Sequence, residues 1–392
     1  MAQFDVIIAG GAMAGATLAL ALDRLSGGKL SIAVVEAFLH QNDDHPGFDA
    51  RSIALSCGTQ QILERLDLWS AIQTVATPIK HINISDQHHV GLTEVSAQEA
   101  HIDALGYVVE LQDVGGVLHH AICNSKAITL CCPAVINDVQ RTADAVMVTL
   151  ADGAQLNAKL LVAADGAMST CCEKIGLDLS EHDFKQVALI ANIQVQSAHN
   201  GRAFERFTPQ GPLALLPMRH HRMSMVWCVD QDQADSLLAL PDVEFIERLQ
   251  HQFGWRLGKI EKCSNRSRYP LILRHHQQNI SHRFAVVGNA AQTLHPIAGQ
   301  GFNLGIRDVI SLAEIIAQSA SDIGDYALLN QFRQNRQNDR SSTIWLTSSL
   351  VSLFSNTWLS TSLGRNLGLI AMDNIPSIKA PLLRHTLGIV NR

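Results

Sequence analysis

The chain has 392 residues, 47% of them hydrophobic and 17% charged, with a net charge of -6. At roughly 150 residues per domain, that length predicts about two to three domains with a sizeable core. The charge fraction lies below the roughly 25% of typical soluble proteins, which excludes disorder. With no basic block, nucleic acid is excluded as a partner. The 8 cysteines include no C-x2-C pair, so zinc and thioredoxin-like chemistry are not expected. Residues 1–5 lack the basic start of a signal peptide, so a cytoplasmic location with free thiols is expected. The 18 histidines include four neighbouring pairs but no H-E-x-x-H pattern, and no metal site is expected.

Residues 4–9 (FDVIIA) predict a buried strand that breaks at Gly10-Gly11. Residues 14–25 predict a helix rich in small side chains, ended by Ser26-Gly27-Gly28, and residues 30–36 (LSIAVVE) a second strand. Strand, glycine turn, helix and strand make a βαβ unit on a parallel sheet. Its turn, Gly10, Gly11, Ala12, Met13, Ala14 and Gly15, is a G-x-A-x-x-G form of the dinucleotide fingerprint. Gly10 permits the tight turn, Gly15 lets helix and strand approach, and the helix N-terminus offers N–H groups to a pyrophosphate. Glu36 ends the second strand 21 residues after Gly15, where its carboxylate suits the hydroxyls of an adenosine ribose.

Further along, residues 77–104 alternate polar and apolar, 108–123 read as helix, and 159–164 as a strand stopped by Asp165-Gly166. Alternation returns between 184 and 272, predicting an antiparallel sheet with one exposed face. Residues 283–288 predict one more buried strand, followed by Gly288-Asn289 and a helix over 302–320. The expected organisation is a discontinuous nucleotide-binding domain (1–76, 105–183 and 273–324), an inserted sheet domain that binds substrate (77–104 and 184–272) and a helical C-terminal region (325–392). Within that tail, residues 341–364 carry no charge, yet 13 of the 24 are Ser, Thr or Asn, so no membrane span is expected. Ile344, Val351, Phe354 and Trp358 recur at helical spacing and predict an apolar stripe, which either packs on its own domain or touches a membrane surface or partner protein.

The run of 14 residues from His295 to Asp308 (HPIAGQGFNLGIRD) places three glycines at the start of a helix, again free N–H groups suited to a ring carbonyl or phosphate. This run resembles the signature of the ubiquinone-biosynthesis hydroxylases, a branch of the FAD-dependent aromatic monooxygenases of the p-hydroxybenzoate hydroxylase type. The segments His45 to Asp49, Gly201 to Phe207 and Gly254 to Lys259 share the resemblance. It implies an α/β fold, with a Rossmann-like FAD-binding domain, an inserted, mainly antiparallel substrate sheet and a helical C-terminus. It further implies non-covalent FAD, transient NAD(P)H, a prenylated phenol hydroxylated through a C4a-hydroperoxyflavin, and other ubiquinone-biosynthesis proteins as partners.

By position, the resemblance assigns residues 10–15 to the pyrophosphate and Glu36 to the ribose. Arg51 and Gln112 go to the phosphates and ribityl chain, Asp165-Gly166 to both FAD and the reductant, and Asn289 to the ribityl. Pro296, Gly299, Gln300, Gly301, Phe302 and Asn303 would line the flavin ring. Cys172 replaces the arginine that usually trails the Asp-Gly motif, and Asn289 stands where most relatives have Asp. Those departures, with Ala12, motivate the alternative of a non-catalytic flavoprotein scaffold. No catalytic base is readable.

Overall fold

A computed structural model describes residues 2–39, 51–87, 89, 91–354 and a scatter of positions from 366 to 388. The segment His45 to Asp49 and the stripe residue Trp358 lie outside the described residues.

The first sheet has eight strands, and five of them are parallel, in the order Ile128–Cys131, Ile32–Val35, Ala2–Ala9, Gln155–Ala163 and Phe284–Val286; Ile136–Arg141, Val146–Leu150 and Ile280–Ser281 add antiparallel. Val6, Ile7, Ile8, Ala33, Val34, Leu161 and Val162 are fully buried, because helices or loops cover both faces of a parallel sheet. The first helix, Met13–Ser26, starts directly after the strand Ala2–Ala9. It ends where Gly27 turns left-handed (φ 63°) and the last carbonyls find N–H donors. Gly15 sets its approach: a Cβ there would lie 1.9 Å from the Gly10 carbonyl oxygen.

The strand order reverses between Ala2–Ala9 and Gln155–Ala163, and such a switch point opens a crevice at the carboxyl ends of the strands. Gly10, Asp165-Gly166 and Gly288-Asn289 each follow one of three adjacent strands at that end. Three motifs spread over 280 residues thus share one rim.

A second, nine-stranded sheet runs Gln292–Thr293, Ser267–His276, Leu179–Val195, Arg222–Asp230, Gly211–Pro217, Arg202–Thr208, His81–Asp86 and Leu92–Ser96, with Ile260–Cys263 on the side of Leu179–Val195. All pairs are antiparallel except Arg202–Thr208 with His81–Asp86. One face packs on the helices Gln231–Ala239 and Asp242–Phe253 through Leu189, Leu213, Leu215, Met225, Trp227 and Phe245. The other face, expected from alternation to be exposed, is partly exposed and forms one wall of a large cavity. Alternation reports two environments, and the second is a cavity wall here.

The sheet also crosses the expected domain limits. It starts at Leu179, runs to His276 and takes in Gln292–Thr293. Thr77–Ile79 instead joins Ser52–Ser56 and Gly106–Glu110 in a separate three-stranded sheet. The stretch expected to be helix from 108 therefore begins as a strand, since Val108 and Val109 are β-branched and buried, and becomes the helix Leu111–Asn124.

The helices Gln300–Gln318 and Tyr326–Phe354 pack on the first sheet and on each other. Among the described residues no helix is long and apolar enough to cross a membrane. On the second of these helices, Thr343, Thr347 and Val351 face inward, while Trp345 is 71% exposed. The expected apolar stripe is thus mixed: Thr347 satisfies its hydroxyl on the Thr343 carbonyl at 2.9 Å, and Val351 packs on Phe207 and Ile297.

Candidate functional site

The cavity measures about 1280 Å³, more than the roughly 300–1,000 Å³ of a single ligand pocket. One end is the rim of the first sheet and the other is the second sheet, so there is room for a cofactor and a second molecule together.

At the rim, Gly10, Ala12, Met13, Ala14, Glu36, Arg51, Asp165, Gly166 and Asn289 line the cavity, joined by Pro296, Gly299, Gln300, Gly301, Phe302 and Asn303. Gly11, Gly15 and Gln112 do not. Gly11 sits behind the loop and donates its N–H to Glu36 Oε2 at 2.5 Å, and Gly15 is the helix–strand contact already described. Gln112 lies in the first turn of Leu111–Asn124, where Leu111 is the residue that reaches the cavity.

The rim is shaped by close backbone contacts. A Cβ on Gly10 would stand 2.5 Å from the Ala164 carbonyl, and one on Gly288 2.6 Å from the Ala14 Cβ. Ala12 caps the first helix without a side-chain hydrogen bond, leaving the first N–H groups of the helix at the cavity for an anion. Glu36 is turned toward the loop, its second oxygen accepting from Phe38 N at 2.9 Å. The Arg51 guanidinium lies 4.9 Å over the Tyr269 ring, an attraction that orients it beside the cavity.

Asp165 carries the clearest sign of a missing partner. Its Oδ2 accepts from Thr170 Oγ1 and Cys171 N, both at 3.3 Å, whereas Oδ1 is buried without any hydrogen bond. An unsatisfied carboxylate oxygen at a cavity wall costs free energy unless a ligand hydroxyl fills it. Asn289 is exposed on the short turn Gly288–Ala290, its side chain making no hydrogen bond to a described residue. These groups fit the ribityl hydroxyls of FAD. Gly301, on the cavity wall at the start of its helix, has nothing within 4 Å of an added Cβ. There a side chain would project into the cavity.

Asn303 has a different role from a ring contact through its side chain. Its Oδ1 accepts from Ser56 N (2.8 Å) and Thr59 Oγ1 (2.7 Å), and its Nδ2 donates to the carbonyls of Ala54 (2.9 Å) and Gly299 (2.7 Å). All four capacities are used, so Asn303 ties the strand Ser52–Ser56 to the glycine loop. Cys172 is buried on the helix Thr170–Ile175, and burial pushes its thiol up to about 11.

The end of the fourteen-residue run builds an anchor that sequence reasoning did not assign. Arg307 grips Asp339 with two hydrogen bonds of 2.7 and 3.2 Å. Arg336 bonds Asp308 at 2.7 Å and also reaches Asp339. Gln292 joins Asp308 (2.8 Å) to Arg340 (2.9 Å). Every member is nearly fully buried, and together they clamp the C-terminal helix onto the cofactor helix. The only signal in the sequence is Arg and Asp recurring at 307/308 and 336/339/340, and it does not pair the two helices.

Two further features come from the chain's own patterning. In the run 212–218, Leu213 and Leu215 enter the core under the helices, while Ala214 and Leu216 line the cavity. His295 is 2% exposed, accepts from Ile297 N at 3.3 Å through Nδ1, and is pushed down to about 4 by burial; it is a neutral structural group. All eight cysteines are unpaired, and no metal-holding cluster occurs among the described residues.

Comparison with known proteins agrees with this geometry. A family model described as an FAD binding domain matches residues 3–343. Ubiquinone hydroxylase UbiL of Rhodospirillum rubrum is 34% identical over 98% of this chain and 89% of its own length. The 3-demethoxyubiquinol 3-hydroxylase of Escherichia coli is 28% identical over 98% of both chains. The crystal structure of p-nitrophenol 4-monooxygenase PnpA from Pseudomonas putida superposes with a TM-score of 0.81, at 18% identity over 99% of both chains. The parallel sheet with its glycine rim, the cavity-facing antiparallel sheet and these likenesses give one answer: the chain is an FAD-dependent monooxygenase and belongs to the hydroxylase family of ubiquinone biosynthesis.

Proposed function

We propose that the enzyme hydroxylates 2-octaprenyl-6-methoxyphenol at the ring carbon para to the hydroxyl, giving 2-octaprenyl-6-methoxy-1,4-benzoquinol, with O2 and NAD(P)H. The observation that carries the proposal is the single cavity shared by the flavin rim and an apolar sheet face. Ile82, Ile84, Ala188, Ile190, Leu216 and Val226 present aliphatic surface there, suited to a prenylated ring.

FAD, when bound, supplies activated oxygen to the ring. The chain's own residues do the rest. The Gly10–Gly15 loop and the first helix would hold the pyrophosphate, Glu36 the ribose, Arg51 the phosphates, and Asp165 and Asn289 the ribityl hydroxyls. Pro296 and the backbone of Gly299 to Asn303 would place the ring against the cavity. The sheet excludes water and fixes the phenol, which supports coupling of reductant consumption to hydroxylation. The three-part division expected from sequence is retained in this reading, with the substrate sheet taken as 81–96, 179–276 and Gln292–Thr293. The C-terminal helices, with Trp345 exposed, are a candidate contact for a lipid surface or for other proteins of the pathway.

One relative is named as a 3-hydroxylase of 3-demethoxyubiquinol, so a sister reaction at another carbon is the second reading. A deletion strain decides between them. Accumulation of 2-octaprenyl-6-methoxyphenol supports the para reading, and accumulation of an earlier or later intermediate replaces it with the sister reaction.

A further inference from the structure

Across the cavity face of the second sheet, strand register places Ile84, Glu205, Ala214, Val226 and Ile190 in one row. Cross-strand partners share a face, and all five line the cavity. Four are aliphatic and one is a carboxylic acid. Glu205 is the only carboxylate that the sheet contributes to the cavity among the described residues; Glu36 and Asp165 belong to the nucleotide end.

Glu205 makes no hydrogen bond or ion pair to any described residue. Its side chain is partly exposed, on the cavity wall, and desolvation by the surrounding protein pushes its carboxyl up to about 7. The next residue, Arg206, is no partner: it points to the other face, donating to the Gln252 carbonyl at 2.8 Å. A carboxyl in an aliphatic wall is costly to keep unless a ligand uses it. Its position is next to the flavin loop. Phe207, two residues along on the same face, and Ile84, its cross-strand neighbour, both pack on Ile297.

Resting on the hydroxylase reading above, we infer that the Glu205 carboxylate receives the hydroxyl of the phenol substrate and takes its proton as the ring is oxygenated. Removing that proton pushes electron density into the ring positions ortho and para to the oxygen, where an electrophilic oxygen atom attacks. The balance closes. One atom of O2 enters the ring and the other leaves as water, with two electrons from the nicotinamide. The attacked carbon then loses its own proton, and Glu205 returns its proton to the phenolic oxygen.

Other titratable groups do not compete for this role. Cys228, on the same face, is held protonated by burial and by Glu205 itself. Tyr269, Arg274 and Lys379 also line the cavity, but they engage Arg51, Glu181 and Glu99. His295 is neutral and packs edge-on against Phe184, with ring centroids 5.3 Å apart.

The test uses FAD-loaded wild type, Glu205→Gln and Glu205→Ala, with a short-chain 2-prenyl-6-methoxyphenol and its O-methyl ether as probes. Binding is read from the perturbed flavin absorbance, and turnover from hydroxylated product across pH 5.5–9. Wild type is expected to bind the phenol roughly tenfold more tightly than the ether, a preference that Glu205→Ala erases. Glu205→Gln keeps phenol binding within about threefold but hydroxylates at least ~100-fold more slowly. It also loses the wild-type rise in rate as pH climbs through about 7. Wild-type rate and pH profile in Glu205→Gln would overturn the proton role, and an undiminished phenol preference in Glu205→Ala the anchoring role. If wild type binds the phenol but makes no hydroxylated product, the hydroxylase reading fails, and the binding preference still judges Glu205.

Discussion

At the nucleotide end of the cavity the backbone carries the geometry. Gly10, Gly15 and Gly288 stand where any Cβ would strike neighbouring main chain or the first helix, and the first helix starts at the cavity without a side-chain cap. At the opposite wall side chains carry it, since regular strands alternate core residues such as Leu213 with cavity residues such as Ala214. The comparison teaches that the first wall has little latitude in sequence, because close main-chain contact admits few residue types. The second can change its aliphatic groups freely while volume is kept. On the proposed function, recognition of the cofactor falls to the first wall and choice of phenol to the second.

The contrast breaks first at Gly15. Gly15→Val forces a side chain into the Gly10 carbonyl, 1.9 Å from its Cβ, and should cost more than about 4 kcal/mol, a size reserved for severe strain. Soluble yield and urea unfolding would register the loss; a stable, FAD-binding Gly15→Val protein would contradict the packing described.

Next in size is Arg336→Met. It leaves Asp308 and Asp339 buried with one cation fewer, at an expected cost of about 3–5 kcal/mol. The damaged clamp holds the C-terminal helix, whose Leu350 lines the cavity, so phenol affinity of the folded fraction should fall while FAD affinity holds. Urea titration followed by ligand titration on the folded fraction tests both halves.

His295 gives a pH signature of about 3 kcal/mol. Its native pKa of about 4 lies below the ordinary 6.5, so the unfolded chain binds the extra proton between those values. Stability contributed by the neutral ring is therefore full above pH 6.5 and is lost progressively as pH falls to about 4. Denaturation of wild type and His295→Gln across that range should show the steeper slope in wild type, and equal slopes would refute it.

The smallest effect sharpens the comparison most. Gly301→Val meets nothing in the protein, so stability should change by less than about 1 kcal/mol, yet FAD affinity should fall about tenfold, or about 1.4 kcal/mol. Unchanged flavin affinity would place the ring elsewhere.

Much of the first wall was legible in the sequence because its requirements are local. A strand, a glycine turn and an acid at the next strand end occur within 36 residues, and one short run carried the helix Gln300–Gln318. What stayed hidden depends on register and on distant pairing. Nothing local to 205 shows that a lone acid sits in an aliphatic row. Asn303 reads as a ligand residue until its four bonds to Ser56, Thr59, Ala54 and Gly299 are seen. The Arg307–Asp339 clamp joins helices that no periodicity could pair.

Labelled oxygen follows the hydroxylation itself: the purified chain, loaded with FAD, is given NADPH or NADH, ¹⁸O2 and a short-chain 2-prenyl-6-methoxyphenol, and the ring product is analysed by mass. The expected product is a benzoquinol carrying one labelled oxygen per ring, formed in step with reductant oxidation. Reductant oxidation that yields only peroxide, with no label in the ring across the family's phenols, would contradict it.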